Sequence, residues 1–181
     1  MVPDIIIKRR SIRSFTEEQV SAEHTSSLIE AALRAPSSMS RTPWHFVAVT
    51  EKSLLAELAS AKPHGGSFLK NAPLGIAVCA DPSKSDVWVE DASIAAVFIQ
   101  LTAQSLGLGS CWVQLRSRMH DEKTPAGRFA AQVIGLPEEL EVECIIAVGH
   151  PAEQKSPRSK EELLWSRVYS NRYGAPFGAG A

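Results

Sequence analysis

Hydrophobic and polar positions along the chain follow two periodicities, that of helices and that of strands. Apolar residues recur at helical spacing from Ser21 to Arg34, where Ser21 is a suitable N-cap and Pro36 ends the pattern. Similar patterns predict helices over residues 52–61 and 125–134. Four short runs rich in β-branched and aromatic residues predict strands at 44–50, 74–80, 110–115 and 142–148. This alternation indicates an α/β or α+β domain with one central sheet.

The least polar part of the chain predicts a helix over residues 92–106. No charged residue occurs between Asp91 and Arg116. Two apolar stripes share this segment, and their members are Ile94, Val97, Phe98 and Leu101 in one and Ala95, Ile99, Ala103 and Leu106 in the other. A helix that is apolar on both sides is buried on both sides. In a domain this small, one face is expected on the sheet and the other against a second subunit.

Length and composition narrow the class of protein. The 181 residues suit one domain, and 44% hydrophobic with 22% charged residues is typical of a globular chain. A net charge of −1 argues against general nucleic-acid binding, and no apolar run approaches the length of a membrane span. Cys79, Cys111 and Cys144 lie in apolar runs, as buried thiols of a reducing compartment do. We therefore expect a cytoplasmic domain at 1–173 and a flexible Gly/Ala-rich tail at 174–181.

Several common catalytic motifs are absent from the sequence. There is no Gly-x-Gly-x-x-Gly, no P-loop and no Gly-x-Ser-x-Gly nucleophile elbow. The five histidines show no metal-ligand spacing, and there is no Cys-x-x-Cys. The sequence thus predicts no metal site and no catalytic side chain, so that an enzyme of this kind would rely on a cofactor.

A basic segment, Lys8–Phe15, is the first candidate for ligand binding. It contains four cations and two hydroxyl groups. If it is helical, Arg9 and Arg13 lie one turn apart, and this like-charge pairing costs about 0.2–0.5 kcal/mol. A bound phosphate would relieve the repulsion, because guanidinium groups match phosphate oxygens in pairs and Ser11 adds a donor. Taken alone, the segment is more typical of a solvated basic surface.

Two further segments have both a ligand-binding and a purely structural interpretation. The loop between Ala35 and Trp44 carries three serines, a threonine and an arginine between two prolines, which suits a polar planar ligand or an ordinary connection. Gly107 and Gly109 allow close approach of the backbone to a ligand, or form a helix C-cap followed by a core strand.

Taken in order, these segments resemble the nitroreductase family of FMN-dependent oxidoreductases. The resemblance spans residues 5–173 and rests on Arg-Arg-Ser-x-Arg-x-Phe, Ala-Pro-Ser-Ser-x-x-x-x-Pro-Trp, Gly-Leu-Gly-Ser-Cys-Trp and Ile-Gly-Leu-Pro…Ala-Val-Gly-His-Pro. It implies an α+β fold with a central sheet flanked by helices, and a homodimer with FMN at the subunit interface. It also implies hydride transfer from NADH or NADPH to FMN, and then reduction of a small electron-poor acceptor such as a nitroaromatic or a quinone.

Matched residue by residue, the resemblance implies three groups of FMN contacts. The phosphate and ribitol would be held by Arg9, Arg10, Ser11, Arg13 and, near the C-terminus, Arg158. The other subunit would flank the isoalloxazine with Pro36, Ser37, Ser38 and Ser40. The segment whose backbone faces the ring would be Trp112, Val113, Gln114 and Leu115.

Two positions depart from the family pattern, in which the loop reads Ser-Ser-x-Asn-x-Gln-Pro-Trp. Ser40 replaces the Asn and Thr42 replaces the Gln, so that contacts to the polar edge of the ring would come from the backbone or from Arg41. Lys70 is the nearest match for a family lysine beside the ring. Two alternatives remain open. One is an FMN protein of this fold whose altered loop makes it a flavin carrier or a dedicated dehydrogenase. The other is a flavin-free α/β module that binds an anionic partner through the N-terminal basic cluster.

Overall fold

The computed structural model describes residues 1–178, which form a four-stranded antiparallel sheet with helices on both faces. The strands are β1 (Trp44–Val49), β2 (Leu74–Ala80), β3 (Gly109–Gln114) and β4 (Glu141–Gly149), in the order β1-β2-β4-β3. Every neighbouring pair is antiparallel, so the fold is α+β and the α/β alternative is excluded. The predicted strands are confirmed to within one or two residues at each end.

Five α-helices in the described residues accompany the sheet. They are α1 (Asp4–Lys8), α2 (Ala22–Leu33), α3 (Lys52–Ala59), α4 (Trp88–Ser105) and α5 (Ala126–Val133). The predicted cap of α2 is confirmed, because the Ser21 hydroxyl accepts a hydrogen bond from the His24 N–H at 3.1 Å. The pattern of the chain did not predict α1. This helix ends at Lys8, so the conditional placement of Arg9 and Arg13 on one helical face is wrong.

The sheet separates two hydrophobic cores. On one face, Leu28 of α2 and Ile99 of α4 pack against alternate residues of the strands. On the other, Leu55 of α3 and Ala130 of α5 pack against the intervening residues. The central strands β2 and β4 are buried on both faces, and this explains why β2, and β4 apart from Glu141 and Glu143, appear in the sequence as apolar runs.

The long helix α4 buries one of its two apolar stripes within the protomer and the other only in part, since Phe98 also packs against the first core. Ala95, Ile99 and Ala103 are buried in the first core. On the opposite side, Ile94 and Val97 are 39% and 45% exposed. The helix begins four residues earlier than predicted, at Trp88, and one face is left partly uncovered.

The C-terminal residues fold back on themselves as far as they are described. Tyr169 and Pro176 form an antiparallel bridge, and the rings of Trp165 and Phe177 stack with centroids 6.4 Å apart. The flexible tail at 174–181 remains a prediction, since residues 179–181 lie outside the described part. No helix within residues 1–178 is long and apolar enough to cross a membrane.

The three cysteines are buried and unpaired. Burial raises the pKa of the Cys79 thiol to about 12. Loss of solvation disfavours the thiolate, so this group stays protonated at neutral pH. The predicted burial of the thiols is thereby confirmed.

Candidate functional site

The basic segment after α1 lies along the outer edge of β3. Ser11 forms a parallel bridge with Ser110, and the Ile12 N–H donates to the Ser110 carbonyl at 3.0 Å. From the other side, Lys155 donates to the Ser11 carbonyl at 2.7 Å. Extended backbone contacts therefore fix this segment, in place of the helix considered from sequence.

These contacts gather the predicted cations in one groove of about 1190 Å³. Its polar lining consists of Arg9, Arg10, Ser11, Arg13, Lys155, Arg158 and Lys160, and its apolar lining of Met1, Val2, Ile6, Ile7, Leu163 and Trp165. No acidic side chain is part of this described lining. A concave cluster of cations beside an apolar wall suits a phosphorylated ligand that carries a large ring.

The arginines of the groove differ in what they already bind. Arg10 donates to the Ser156 carbonyl and so attaches the C-terminal segment to the groove. Within residues 1–178, the guanidinium groups of Arg9, Arg13 and Arg158 make no salt bridge. Arg13 lies 5.8 Å from the centre of the Phe68 ring. These three side chains are consequently available to an anion.

The two glycines before β3 have separate explanations. Gly107 has a φ of +74° and ends α4, where the Leu108 N–H donates to the Ala103 carbonyl at 2.8 Å as in a helix C-cap. At Gly109 a Cβ atom would lie 2.8 Å from the Ile12 Cβ. Gly109 thus permits the basic segment to approach β3 closely, which is a requirement of packing at the edge of the groove.

A second, polar cavity of about 390 Å³ adjoins the groove through Arg13, which lines both. Lys70, Asn71 and Lys52 also line it. Lys70, which sequence reasoning offered only by its proximity to a family position, therefore shares a cavity with Arg13. Lys52 was missed, because its place at the start of α3 gives no signal of a site.

The residues predicted on β3 divide into two kinds. Val113 is fully buried in the second core, as is Leu115 just after the strand. The Ser110 carbonyl points away from β4 to Ile12, and alternation along the strand turns the backbone groups of Trp112 and Gln114 to the same outer edge. The indole N–H of Trp112 also donates to Gln114 Oε1 at 2.8 Å. Trp112 and Gln114 therefore present backbone groups at the outer edge of β3, but none of the four predicted residues lines the groove or the adjoining cavity.

Behind this edge lies a buried carboxyl group that sequence reasoning missed. Glu143 is 3% exposed, and Gln114 Nε2 donates to its Oε1 at 3.4 Å. The Arg116 Nε atom is 3.8 Å from Oε2, too long for a hydrogen bond, and Oε2 has no hydrogen-bond partner among the described residues. Burial raises the pKa of Glu143, and the contributions of Gln114 and Arg116 only partly oppose this. The sequence did contain a signal of this buried group, because Glu143 is a charged residue within the otherwise apolar run 142–148.

Glu143→Gln is expected to stabilise the fold increasingly as the pH rises. Burial raises the folded-state pKa of this carboxyl above its unfolded value, so the folded protein holds the proton more tightly. Stability is then lost as the pH rises from the unfolded pKa towards the folded one. Glutamine resembles the protonated acid and avoids this loss. Unfolding midpoints of both proteins over a pH series would test this, and a difference independent of pH would contradict it.

The serine-rich loop of residues 36–42 lies apart from the basic groove of its own protomer. Pro36, Ser37, Ser38 and Ser40 line neither the groove nor the adjoining cavity. Three residues of the loop have left-handed backbone, with φ of 50° at Met39, 54° at Ser40 and 42° at Thr42. Such conformations are costly outside glycine and cluster at functional sites.

Comparison with known proteins gives consistent matches over most of the chain. The sequence model described as the nitroreductase family matches residues 6–62 and 57–150. An FMN-dependent nitroreductase from Clostridium difficile is 43% identical with a TM-score of 0.92, covering 93% of this chain and 98% of that one. A protein of Archaeoglobus fulgidus, provisionally named an NADH dehydrogenase/NAD(P)H nitroreductase, is 37% identical over 155 residues, or 83% of this chain and 86% of the relative. A provisionally named nitroreductase of Desulfovibrio desulfuricans, solved with FMN, is 27% identical with a TM-score of 0.75 and covers 93% of this chain and 95% of that one.

Proposed function

Because this chain belongs to the nitroreductase family, we propose that it is an FMN-dependent oxidoreductase that uses NADH or NADPH as electron donor. The observation that carries the proposal is the groove lined by Arg9, Arg13 and Arg158, whose described lining includes no acidic side chain. The FMN phosphate is a dianion near neutral pH, and guanidinium groups bind its oxygens in pairs. The apolar wall of the groove supplies contacts for the rest of the cofactor.

The residues of this chain then bind and orient the cofactor. When bound, FMN supplies the ring that accepts a hydride and passes electrons on, which no side chain could do. Arg13 lies between the basic groove and the adjoining cavity, so its charge favours an electron-rich ring there. Lys70 adds a second cation on the cavity side. Trp112 and Gln114 present backbone groups at the outer edge of β3.

We also propose that the active form is a homodimer with a cofactor site shared between subunits. The exposed stripe of α4 that contains Ile94 and Val97 needs a cover, and large apolar patches are rare on monomers. The loop of residues 36–42 is separate from its own groove, which fits a role in the site of the other subunit. Sedimentation should give a dimer at micromolar concentration. A stable flavin-loaded monomer would overturn this assignment.

For the acceptor, we propose a small electron-poor molecule such as a nitroaromatic or a quinone. The test is an anaerobic titration of the purified yellow protein with NADH and with NADPH, followed by a panel of acceptors. Bleaching of the flavin and its reoxidation by an acceptor are the expected results. Reduction without turnover of any acceptor would favour a flavin carrier. Protein without flavin that fails to bind added FMN would overturn the proposal.

Ser40→Asn combined with Thr42→Gln is expected to alter redox behaviour more than folding. Asparagine tolerates left-handed backbone, and glutamine lacks the β-branch that makes a φ of 42° unfavourable at Thr42. The new amides can donate to the polar edge of the ring and favour the redox form that carries more negative charge there. The double variant should keep its dimer and FMN while its flavin reduction potential and nitroaromatic turnover change. Wild-type values for both would remove residues 40–42 from the site.

A further inference from the structure

A buried carboxylate near the start of α4 attaches the loop of residues 36–42 to the body of the protein. Asp91 is 2% exposed. Its Oδ1 accepts the backbone N–H of Ser38 at 2.8 Å, and its Oδ2 accepts the Ser85 hydroxyl at 2.9 Å. Both oxygens are therefore satisfied, which a buried carboxylate requires if it is not to destabilise the fold. Its place in the first turns of a helix adds a favourable dipole interaction.

The loop that Asp91 holds is strained. The left-handed residues Met39, Ser40 and Thr42 cost free energy, and such backbone persists only where its surroundings fix it. One constraint is internal, since the Ser37 hydroxyl accepts the Thr42 N–H at 2.9 Å. Internal bonds shape the loop, but they cannot set its position relative to the sheet.

Two contacts among the described residues join the loop to the region around the start of α4. One is an ion pair of Arg41, and the other is the hydrogen bond of the Ser38 backbone. Arg41 pairs with Asp86 at 2.8 Å, but the Asp86 side chain is 84% exposed, and exposed pairs contribute little. The bond from Ser38 to Asp91 is charge-assisted and shielded from water, so it is the stronger constraint. Asp91 occupies a place where an apolar residue would pack without a desolvation cost. The structural effect of this carboxylate is to fix the position of Ser38.

We propose that Asp91 is a positioning residue that holds the loop of residues 36–42 in the geometry required at the FMN site of the other subunit. The inference rests on the proposed function, because the loop affects flavin only if its serines contact it in the dimer. Asp91 itself touches neither cofactor nor substrate. It acts through the backbone of Ser38.

The experiment compares Asp91→Ala with Asp91→Asn in the purified full-length protein. Asp91→Ala should raise the Kd for FMN by about tenfold or more, because binding must then order the loop without the Ser38–Asp91 bond, and the free energy of such a charge-assisted bond is lost from binding. It should also shift the reduction potential of the remaining bound flavin and accelerate hydrogen exchange at the Ser38 amide. Asp91→Asn should restore all three, because its amide can accept from Ser38 and donate to the Ser85 hydroxyl. Glu90→Ala, which removes an exposed charge from the same helical turn, is the matched control and should behave as wild type.

A second pair of variants keeps the test decisive if Asp91→Ala does not fold. Ser38→Pro removes the N–H donor, and the extended backbone of Ser37, with φ −136° and ψ 159°, accommodates a following proline. Ser38→Ala keeps the N–H and is its control. The proline variant should lose FMN affinity well beyond the alanine variant.

Distinct outcomes would overturn the two proposals. Wild-type FMN affinity and potential in Asp91→Ala, or equal losses in the Asn and Ala variants, would overturn the role of Asp91 alone. Equal losses of FMN affinity in Ser38→Pro and Ser38→Ala would also overturn the role of Asp91. Failure of the wild-type protein to bind FMN would overturn the proposed function, and this inference with it.

Discussion

Arg9→Ala and Arg158→Ala should each weaken FMN binding about tenfold to a hundredfold, because a charge-assisted hydrogen bond contributes about 1.5–3 kcal/mol. Both guanidinium groups line the basic groove without a salt bridge to described residues, so each is free to bind a phosphate. Riboflavin lacks the phosphate, and its affinity should change little. Titration of each apoprotein with both flavins, followed by quenching of flavin fluorescence, measures the difference.

The control for these variants is Arg34→Ala. Arg34 lies just after α2 and pairs with Glu30 at 2.7 Å, outside the lining of the groove. The variant removes the same side chain and charge, so a long-range effect of net charge would appear in it as well. Equal losses for FMN and riboflavin in Arg9→Ala would contradict phosphate binding. Equal losses would instead indicate that the Arg9 side chain contacts the flavin ring or stabilises the fold.

Gly109→Ala should lower both the stability of the protein and its affinity for FMN. The new methyl group would lie 2.8 Å from the Ile12 Cβ, and both residues are buried. Such overpacking costs about 1–3 kcal/mol in the free energy of unfolding, or a few degrees in Tm. The steric overlap can be relieved if the basic segment shifts away from β3. This shift would move Arg9 and Arg13 away from the other residues that line the groove.

Gly107→Ala separates these two effects. Gly107 has a φ of +74°, and a Cβ atom there would meet nothing within 4 Å. This variant should therefore lose stability through backbone strain of about 1–2 kcal/mol while FMN affinity is retained. Urea unfolding and FMN titration of both variants provide the comparison. Wild-type FMN affinity in Gly109→Ala would show that the position of the basic segment does not control binding.

Local patterns were sufficient for the elements whose cause is local. Strands β2 and β4 are largely apolar runs, and α2 has both a capping serine and a regular apolar stripe. The helix α1 has no such pattern, since none of its five residues is buried. Its helical conformation could therefore not be predicted from hydrophobic periodicity.

The candidate site shows the same division. The basic segment and the serine-rich loop were identified from residue types alone, because donors and cations in short runs are visible in the sequence. Asp91 and Glu143 were not, since each acts on residues far away along the chain: Ser38 in one case and Gln114 in the other. The choice between a helical and an extended basic segment also depended on a distant element, β3.

The sequence by itself determined the α-and-β composition, the two-faced apolar helix and the residue types that make a phosphate site chemically reasonable. These follow from hydrophobic periodicity and side-chain chemistry, which act over a few residues. Only the tertiary structure decided the antiparallel strand order, the close approach of Ile12 to Gly109 and the meeting of Arg9 with Arg158 in one groove. Those features arise from burial and hydrogen bonding between segments distant in the chain, and no local pattern records which segments will meet.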